Sequence, residues 1–406
     1  MKKTKYLLIY LNTGGGHLAP ARAISDYMKK YKSDVAEAVM VDGLENSPKW
    51  VKYIIEDGYR ILQAKAQWVF EFLYSLNKAP LLGKITSRIV SLFITPHIKK
   101  VIQDEKPDII INLHFFTIKP VIKVIKKYNT EIPFYTMVTD PYTAHPIWFH
   151  HANQKYIVFS EKLSDQIKQQ YPETDVYMFP FVVNEKFSQR LDVQEVESLK
   201  NELELPDDKK IILIVGGGDG IPKGEKILKR LLKKNLNASI IMLCGRNKQL
   251  FENANKIKSS NPDSCIKVYG FVNNVYELLN IADVVITKCG ASTIMEILSL
   301  GKVPFVNNYI WEQEKGNVEY LKRNNVGIYE PKVKKMVKKI QKLLANDYIK
   351  KYYELNHAKS NIKNGLPDVV NFLVYESKFI MGGVVPAEND RPDEIHITAQ
   401  ISSAKI

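Results

Sequence analysis

Between Val284 and Val326 the chain reads VVITKCGASTIMEILSLGKVPFVNNYIWEQEKGNVEYLKRNNV, and no other stretch restricts the fold as much. Val284–Thr287 is a short apolar, β-branched run, which predicts a buried strand. Gly290, Ala291, Ser292 and Thr293 make a small-residue turn. Ile294, Ile297 and Leu298 then recur at helical spacing, so a helix is expected to start at Ser292 or Thr293. A second strand is predicted at Lys302–Val306, then a polar loop carrying Glu312, Gln313 and Glu314, then a helix containing Asn317. Strand and helix in alternation imply a parallel α/β sheet, and such sheets gather their ligands at the carboxyl ends of the strands. Backbone N–H groups at a helix start hold an anion, typically phosphate. Glu296, one turn further on, is placed to accept bonds from paired hydroxyls such as those of a ribose. The stretch reads as a sugar-nucleotide site.

The same design occurs at the start of the chain. Tyr6–Leu11 is a predicted strand that runs into Asn12-Thr13-Gly14-Gly15-Gly16-His17, and an amphipathic helix follows with Ala21, Ile24 and Met28 on one face. Glycines at 14–16 let a ligand approach the backbone closely. His17 falls at the helix start, where the helix dipole disfavours imidazolium and favours a neutral, proton-accepting ring. The plainer alternative is a tight turn with His17 as its cap, since a glycine-rich βα turn is weak evidence and GxGxxG is not met. Asp108–Leu113 and Phe134–Thr139 are further strands. The second ends in Asp140 and leads into PYTAHPIWFHH, which contains His145. A metal is not expected there, because the spacing fits no usual zinc pattern. Lys155–Phe159 and Val176–Phe179 complete a first sheet within 1–182.

Residues 183–208 are polar, with a helix expected over Asn184–Leu203 before Pro206-Asp207-Asp208, and read as a linker. Lys210–Val215 opens a second unit and leads into Gly216-Gly217-Gly218-Asp219-Gly220, whose backbone N–H groups again suit phosphate. The turn Gly270-Phe271-Val272 offers backbone to the edge of a base. The expected domains are 1–182, 183–345, C-terminal helices over 346–380 with a break at Pro367, and a disordered, polar tail over 381–406.

Composition narrows the setting. The formal charge is +14, which suits either an anionic lipid surface or nucleic acid, unless it reflects a general lysine-rich bias. Cys244, Cys265 and Cys289 show no metal or disulfide pattern, as in a reducing compartment. No apolar run reaches the length of a membrane span, so a cytoplasmic protein is expected. Residues 46–95 mix Trp50, Tyr53, Tyr59, Trp68, Phe70, Phe72 and Tyr74 with Lys49, Lys52, Arg60 and Lys65. Ile85, Ile89, Leu92 and Phe93 follow on one side of a helix, near Lys84 and Arg88. This suits either a membrane interface or an ordinary helical core with solvated lysines.

Taken together, GGGHLAPARAI, VTDPYTAHPIWFHH, GGGDG and CGASTIMEILSLGKVPFVNNYIWEQEKGN resemble the monogalactosyldiacylglycerol synthases and the bacterial processive diacylglycerol glucosyltransferases of glycosyltransferase family 28. The resemblance spans roughly residues 5–345. It implies the α/β GT-B fold, two Rossmann-like domains facing across a cleft. The first would be the acceptor and membrane-binding domain, the second the UDP-sugar domain, with a C-terminal helix crossing back. It implies an inverting transfer of glucose or galactose from a UDP-sugar to diacylglycerol, by a peripheral enzyme on the inner face of the cell membrane. It implies His17 as catalytic base, with Asp140 also catalytic. Donor contacts would fall to Gly217, Gly218, Phe271, Val272, Gly290, Ser292, Thr293, Glu296, Gln313, Glu314 and Asn317. Acceptor contacts would fall to Gly15, Gly16 and His145. Metal-dependent glycosyltransferases usually carry an Asp-x-Asp pair, which this chain lacks, so neither metal nor cofactor is expected, and no nucleic-acid partner. The competing readings are a UDP-GlcNAc transferase acting on a lipid-linked cell-wall precursor and a UDP-sugar epimerase.

Overall fold

The computed structural model describes residues 3–58, 61–62, 67–128, 131–151, 154–382 and 396–397. The chain forms two compact units: residues 1–182 with 365–406, and residues 183–364.

In the first unit, the apolar run at the N-terminus becomes β1 (Thr4–Tyr10), followed by α1 (Gly15–Tyr31) and β2 (Ala36–Asp42). After the short α2 (Lys49–Lys52), α3 (Gln67–Leu76) and the long α4 (Pro80–Glu105), the remaining strands alternate with helices. They are β3 (Ile109–Asn112), α5 (Phe115–Tyr128), β4 (Phe134–Met137), β5 (Lys155–Val158), α6 (Glu161–Gln170) and β6 (Val176–Met178). The strand order is β6-β5-β4-β3-β1-β2, all parallel, with His396–Ile397 added antiparallel beyond β6. The chain turns from β2 back across β1 to β3, so the switch point of the sheet lies between β1 and β3. β3 is Ile109-Ile110-Ile111-Asn112, buried throughout, as a central parallel strand covered on both faces must be.

The second unit repeats the plan. α7 (Val193–Glu202) precedes β7 (Lys210–Ile214), α8 (Gly224–Lys234), β8 (Ala238–Leu243), α9 (Lys248–Ser259), β9 (Ile266–Tyr269) and α10 (Val275–Ile281). Then come β10 (Val284–Lys288), α11 (Ala291–Ser299), β11 (Pro304–Asn308), α12 (Trp311–Asn324), β12 (Ile328–Tyr329), α13 (Val333–Leu344) and α14 (Asp347–Lys359). The order is β12-β11-β10-β7-β8-β9, and the switch point falls between β7 and β10. One face of this sheet is covered by Ile227, Leu228, Leu231, Met336, Val337 and Ile340, the other by Leu199, Leu205, Leu278, Ile297 and Leu300.

Three expectations are corrected. The stretch 183–208 is not a linker. Asp192 and Glu195 form a capping box that starts α7, and Leu199 and Leu205 pack into the second unit's core. Glu312, Gln313 and Glu314 lie in the first turn of α12 rather than in a loop. Gly316 does not interrupt the helix before Asn317, and acidic residues are favoured in a first turn. The C-terminal helical stretch divides: α14 stays with the second unit, while α15 (Leu366–Gly382) belongs to the first. Pro367, at the second position of α15, starts that helix instead of breaking one. The expectation of a disordered tail falls largely outside the described residues, as do Tyr59, Arg60 and Lys65.

α15 is fastened by specific contacts. Tyr6 Oη donates to Leu373 O at 3.2 Å and Tyr135 Oη to Glu376 Oε2 at 2.9 Å. Phe372 sits among Tyr135, Tyr177 and Phe179. Gly365 turns the chain into this helix, and a Cβ there would meet Pro180 O at 1.9 Å. Backbone cannot yield as a side-chain tip can, so Gly365→Ala is expected to cost about 1–3 kcal/mol. The check is a lower urea midpoint with unchanged slope.

Candidate functional site

In the first unit each of the two strands at the switch point leads to a histidine: His17 in the first turn of α1, after β1, and His114 two residues beyond β3. Gly14, with φ at +117°, begins α1 in a conformation open to glycine. Gly15, Gly16 and His17 then form its first turn. A Cβ at Gly15 or Gly16 would meet nothing within 4 Å, so packing does not require glycine at either position. His17 is buried. Its Nδ1 donates to Leu113 O at 2.8 Å and lies 2.7 Å from Thr139 Oγ1. That bond fixes the neutral tautomer with the lone pair on Nε2, which makes no bond among the described residues. Burial pulls the His17 pKa down to about 4, against the opposing effect of the bond to the Leu113 carbonyl.

His114, one residue past Leu113, was not singled out by sequence reading. Its ring stands edge-on to His17 with centroids 4.4 Å apart. Its Nδ1 accepts from Phe116 N at 3.2 Å, which leaves Nε2–H to donate to Thr13 Oγ1 at 3.3 Å. Burial and the neighbouring His17 hold its pKa well below the usual value. The available signal was position: a histidine directly beyond the buried run DIIINL sits at a sheet mouth.

Asp140 follows β4, and its Oδ2 accepts from Trp148 Nε1 at 3.1 Å. The Trp148 ring centroid lies 6.1 Å from that of His17. Asp140 thus positions an aromatic wall of the histidine pair. His145 differs from the acceptor contact expected of it. Its Nδ1 accepts from Ile147 N at 3.1 Å and its Nε2 donates to Tyr74 O at 3.0 Å, so both ring nitrogens are committed within the protein. The bond to Tyr74 O ties it to α3, and its position before Pro146 makes it the cap of the turn Pro146–Phe149.

α3 and the start of α4 are exposed where core packing was one of two expectations. Trp68 is 74% exposed, Leu81 71% and Leu92 62%, with Phe72, Ile85 and Ile89 between 44% and 59%. Lys84 and Arg88 lie on the same helix, also exposed. No described helix is long and apolar enough to cross a membrane.

In the second unit the loops at the switch point converge. Gly216 and Gly220 fold the glycine loop onto itself, since a Cβ on Gly216 would lie 2.2 Å from Gly220 O. Gly217, with φ at +74°, faces Lys288, whose Cε would stand 3.9 Å from an added Cβ. Gly218 lies beneath Arg246, whose guanidinium covers the exposed Phe271 ring at 5.2 Å. Val272 packs into the core behind it. Lys288 and Arg246 are cations that the sequence pattern does not single out; Lys288 ends β10 and Arg246 follows β8, but only the sheet order brings them to the glycine loop.

Gly290 is the residue before α11, which begins at Ala291, one residue earlier than expected. Ser292 Oγ is buried without a partner, and Thr293 is half-buried beside it. Glu296, one turn on, has no side-chain bond among the described residues, and burial pushes its pKa up to about 7. Glu314 is committed in part: Oε2 accepts from Ile310 N at 2.6 Å and caps α12. Burial raises its pKa against the opposing pull of Lys288. Asn317 Nδ2 donates to Cys289 O at 2.9 Å, while its Oδ1 is buried without a partner. Gln313 lies in the first turn of α12. A helix start, two cations, an orphaned hydroxyl and an unpaired carboxyl together suit a ligand with phosphate at one end and hydroxyls at the other.

Both halves of the chain are similar to known proteins. The family model of monogalactosyldiacylglycerol (MGDG) synthase matches residues 17–183, and that of the glycosyltransferase family 28 C-terminal domain matches residues 211–372. A probable chloroplastic monogalactosyldiacylglycerol synthase of Glycine max is 29% identical over 386 residues, which is 92% of this chain and 71% of the relative. A glycosyltransferase from Rickettsia africae ESF-5 superposes with a TM-score of 0.56 at 18% identity, covering 95% of this chain and 100% of its own. The Staphylococcus aureus MnaA–UDP co-structure gives 0.61 at 14% identity over 96% and 99%. The fold class is GT-B, two Rossmann-like halves each built on a parallel sheet.

Proposed function

We propose that the chain is a glycosyltransferase of the kind it resembles, the monogalactosyldiacylglycerol synthases, and that it moves glucose or galactose from a UDP-sugar to diacylglycerol, inverting the anomeric centre. The observation that carries the donor half is the pair on α11: a buried hydroxyl without a partner at Ser292 and, one turn on, the unpaired carboxyl of Glu296. Residues four apart share a helix face, so the two address one ligand. The start of α11, the glycine loop with Gly217 and Gly218, Lys288 and Arg246 would meet the diphosphate and stabilise the charge it gains on leaving. Glu296 would accept the ribose hydroxyls, and Phe271 and Val272 would flank the uracil. Gln313, Glu314 and Asn317 would hold the sugar. His17 Nε2 would take the proton of the attacking hydroxyl, with Gly15 and Gly16 giving the acceptor room and Asp140 keeping Trp148 beside it.

A diacylglycerol acceptor keeps its chains in a bilayer, so the enzyme would work as a peripheral membrane protein. The exposed Trp68, Phe72, Leu81, Ile85, Ile89 and Leu92 with Lys84 and Arg88 are the composition of an interfacial element. Incubation with radiolabelled UDP-glucose or UDP-galactose and diacylglycerol vesicles tests the whole reading. The label is expected in a neutral glycolipid. Label appearing as free epimerised nucleotide sugar, or only on a lipid-linked cell-wall precursor, would replace it.

A further inference from the structure

α8, α13 and the start of α9 line an open recess of about 930 Å³ on one face of the second sheet. None of the residues assigned to the donor lines it. Its walls carry Lys223, Lys226, Lys229, Arg230, Lys233 and Lys334, against a single acid, Glu225. Glu225 is taken up by Asn253 Nδ2 at 2.7 Å. None of the six cations forms an ion pair among the described residues. Arg230 Nε is buried without any partner.

The sequence explains how the charge is concentrated. α8 and α13 turn Ile227, Leu228 and Leu231 and Met336, Val337 and Ile340 toward the sheet. Their lysines are thereby left on the outer side, where Lys229 and Lys233, and Lys226 and Arg230, are i,i+4 neighbours of like charge. Such pairs are destabilising. An external anion removes that repulsion and gives the Arg230 guanidinium a partner of opposite charge.

We propose that this recess binds lipid phosphate headgroups and docks the second unit on an anionic membrane surface. The lining holds no aromatic side chain, which single-stranded nucleic acid would use as a stacking face. A bilayer needs only positive charge near its surface and a recess for a headgroup. The choice of a bilayer rests on the lipid-acceptor reading; the presence of an anion site does not.

The test compares the full chain with a Lys229→Gln, Lys233→Gln, Lys334→Gln variant. All three side chains are exposed, so folding should be unaffected. Each lysine lost weakens attachment to an anionic surface about fivefold, so binding to phosphatidylcholine vesicles containing phosphatidylglycerol should fall roughly 10²-fold. Binding to pure phosphatidylcholine vesicles, and turnover of diacylglycerol in neutral detergent micelles, should be unchanged. Unaltered binding to the anionic vesicles would overturn the proposal. So would loss of micellar turnover, which would move these lysines into the donor machinery. A variant that keeps its vesicle binding but no longer binds a duplex oligonucleotide would assign the surface to nucleic acid instead. Absence of any glycolipid product from the wild-type chain in micelles would count against the acceptor, separately from the vesicle result.

Discussion

Replacing His17 with alanine is expected to lower turnover by about 10²–10⁴-fold, the usual contribution of a general base, while UDP binding is retained. UDP retention follows because the residues assigned to UDP belong to the second unit and His17 to the first. The geometry makes His17 a base and not merely a cap. Its Nδ1–H is spent on the Leu113 carbonyl, so the nitrogen left to act is Nε2. His114 stands edge-on against the same ring and is itself kept neutral, so a proton arriving on His17 meets a dipole and not a like charge. The pKa of about 4 sets the sign of the pH dependence. Above that value the ring is neutral and the lone pair is present; below it activity is lost. Turnover should therefore show no histidine limb near pH 6.5, the ordinary value for a free imidazole. A limb at that pH that vanished in His17→Ala would contradict the burial described here, and full turnover in the variant would remove the assignment.

The strands were legible in the sequence because parallel strands covered on both faces must be continuous apolar runs, and DIIINL, KIILIV and VVIT are such runs. Both glycine loops were legible for the same reason: each directly follows a strand. What adjoins them across the sheet was not. His114 reaches His17, and Lys288 reaches Gly217, only because β1 lies beside β3 and β10 beside β7, and strand order is not written in local periodicity. His145 misled because a histidine in a polar loop looks available. Its use as a cap depends on where α3 passes, which no local pattern records. The stripe of Ile85, Ile89, Leu92 and Phe93 was ambiguous because helical spacing shows that apolar residues share a face but not whether anything covers it.

Glu296→Gln is the second large effect. An amide keeps the shape but gives up the charged acceptor, and bonds to a charged group are each stronger by about 1 kcal/mol or more than neutral ones. With two ribose hydroxyls engaged, the donor KM should rise roughly 10²-fold with kcat little changed, since a ribose contact serves ground and transition states alike. The pH dependence gives a sharper check. With its pKa raised to about 7, the free enzyme's carboxyl is protonated in mild acid and becomes the better acceptor only as pH passes through neutrality. kcat/KM for the donor should therefore rise across roughly pH 6–8 and become flat in the variant. Stability should move the other way. In the unfolded chain the carboxyl ionises near 4.5, so between there and about 7 the folded state holds the extra proton, and stability from this group is lost as pH rises through that window. Saturating UDP should recover part of it, by giving the buried charge hydroxyls to bind. A thermal shift by UDP that is equal at pH 6 and pH 8, in wild type and variant alike, would mean that Glu296 does not meet the nucleotide.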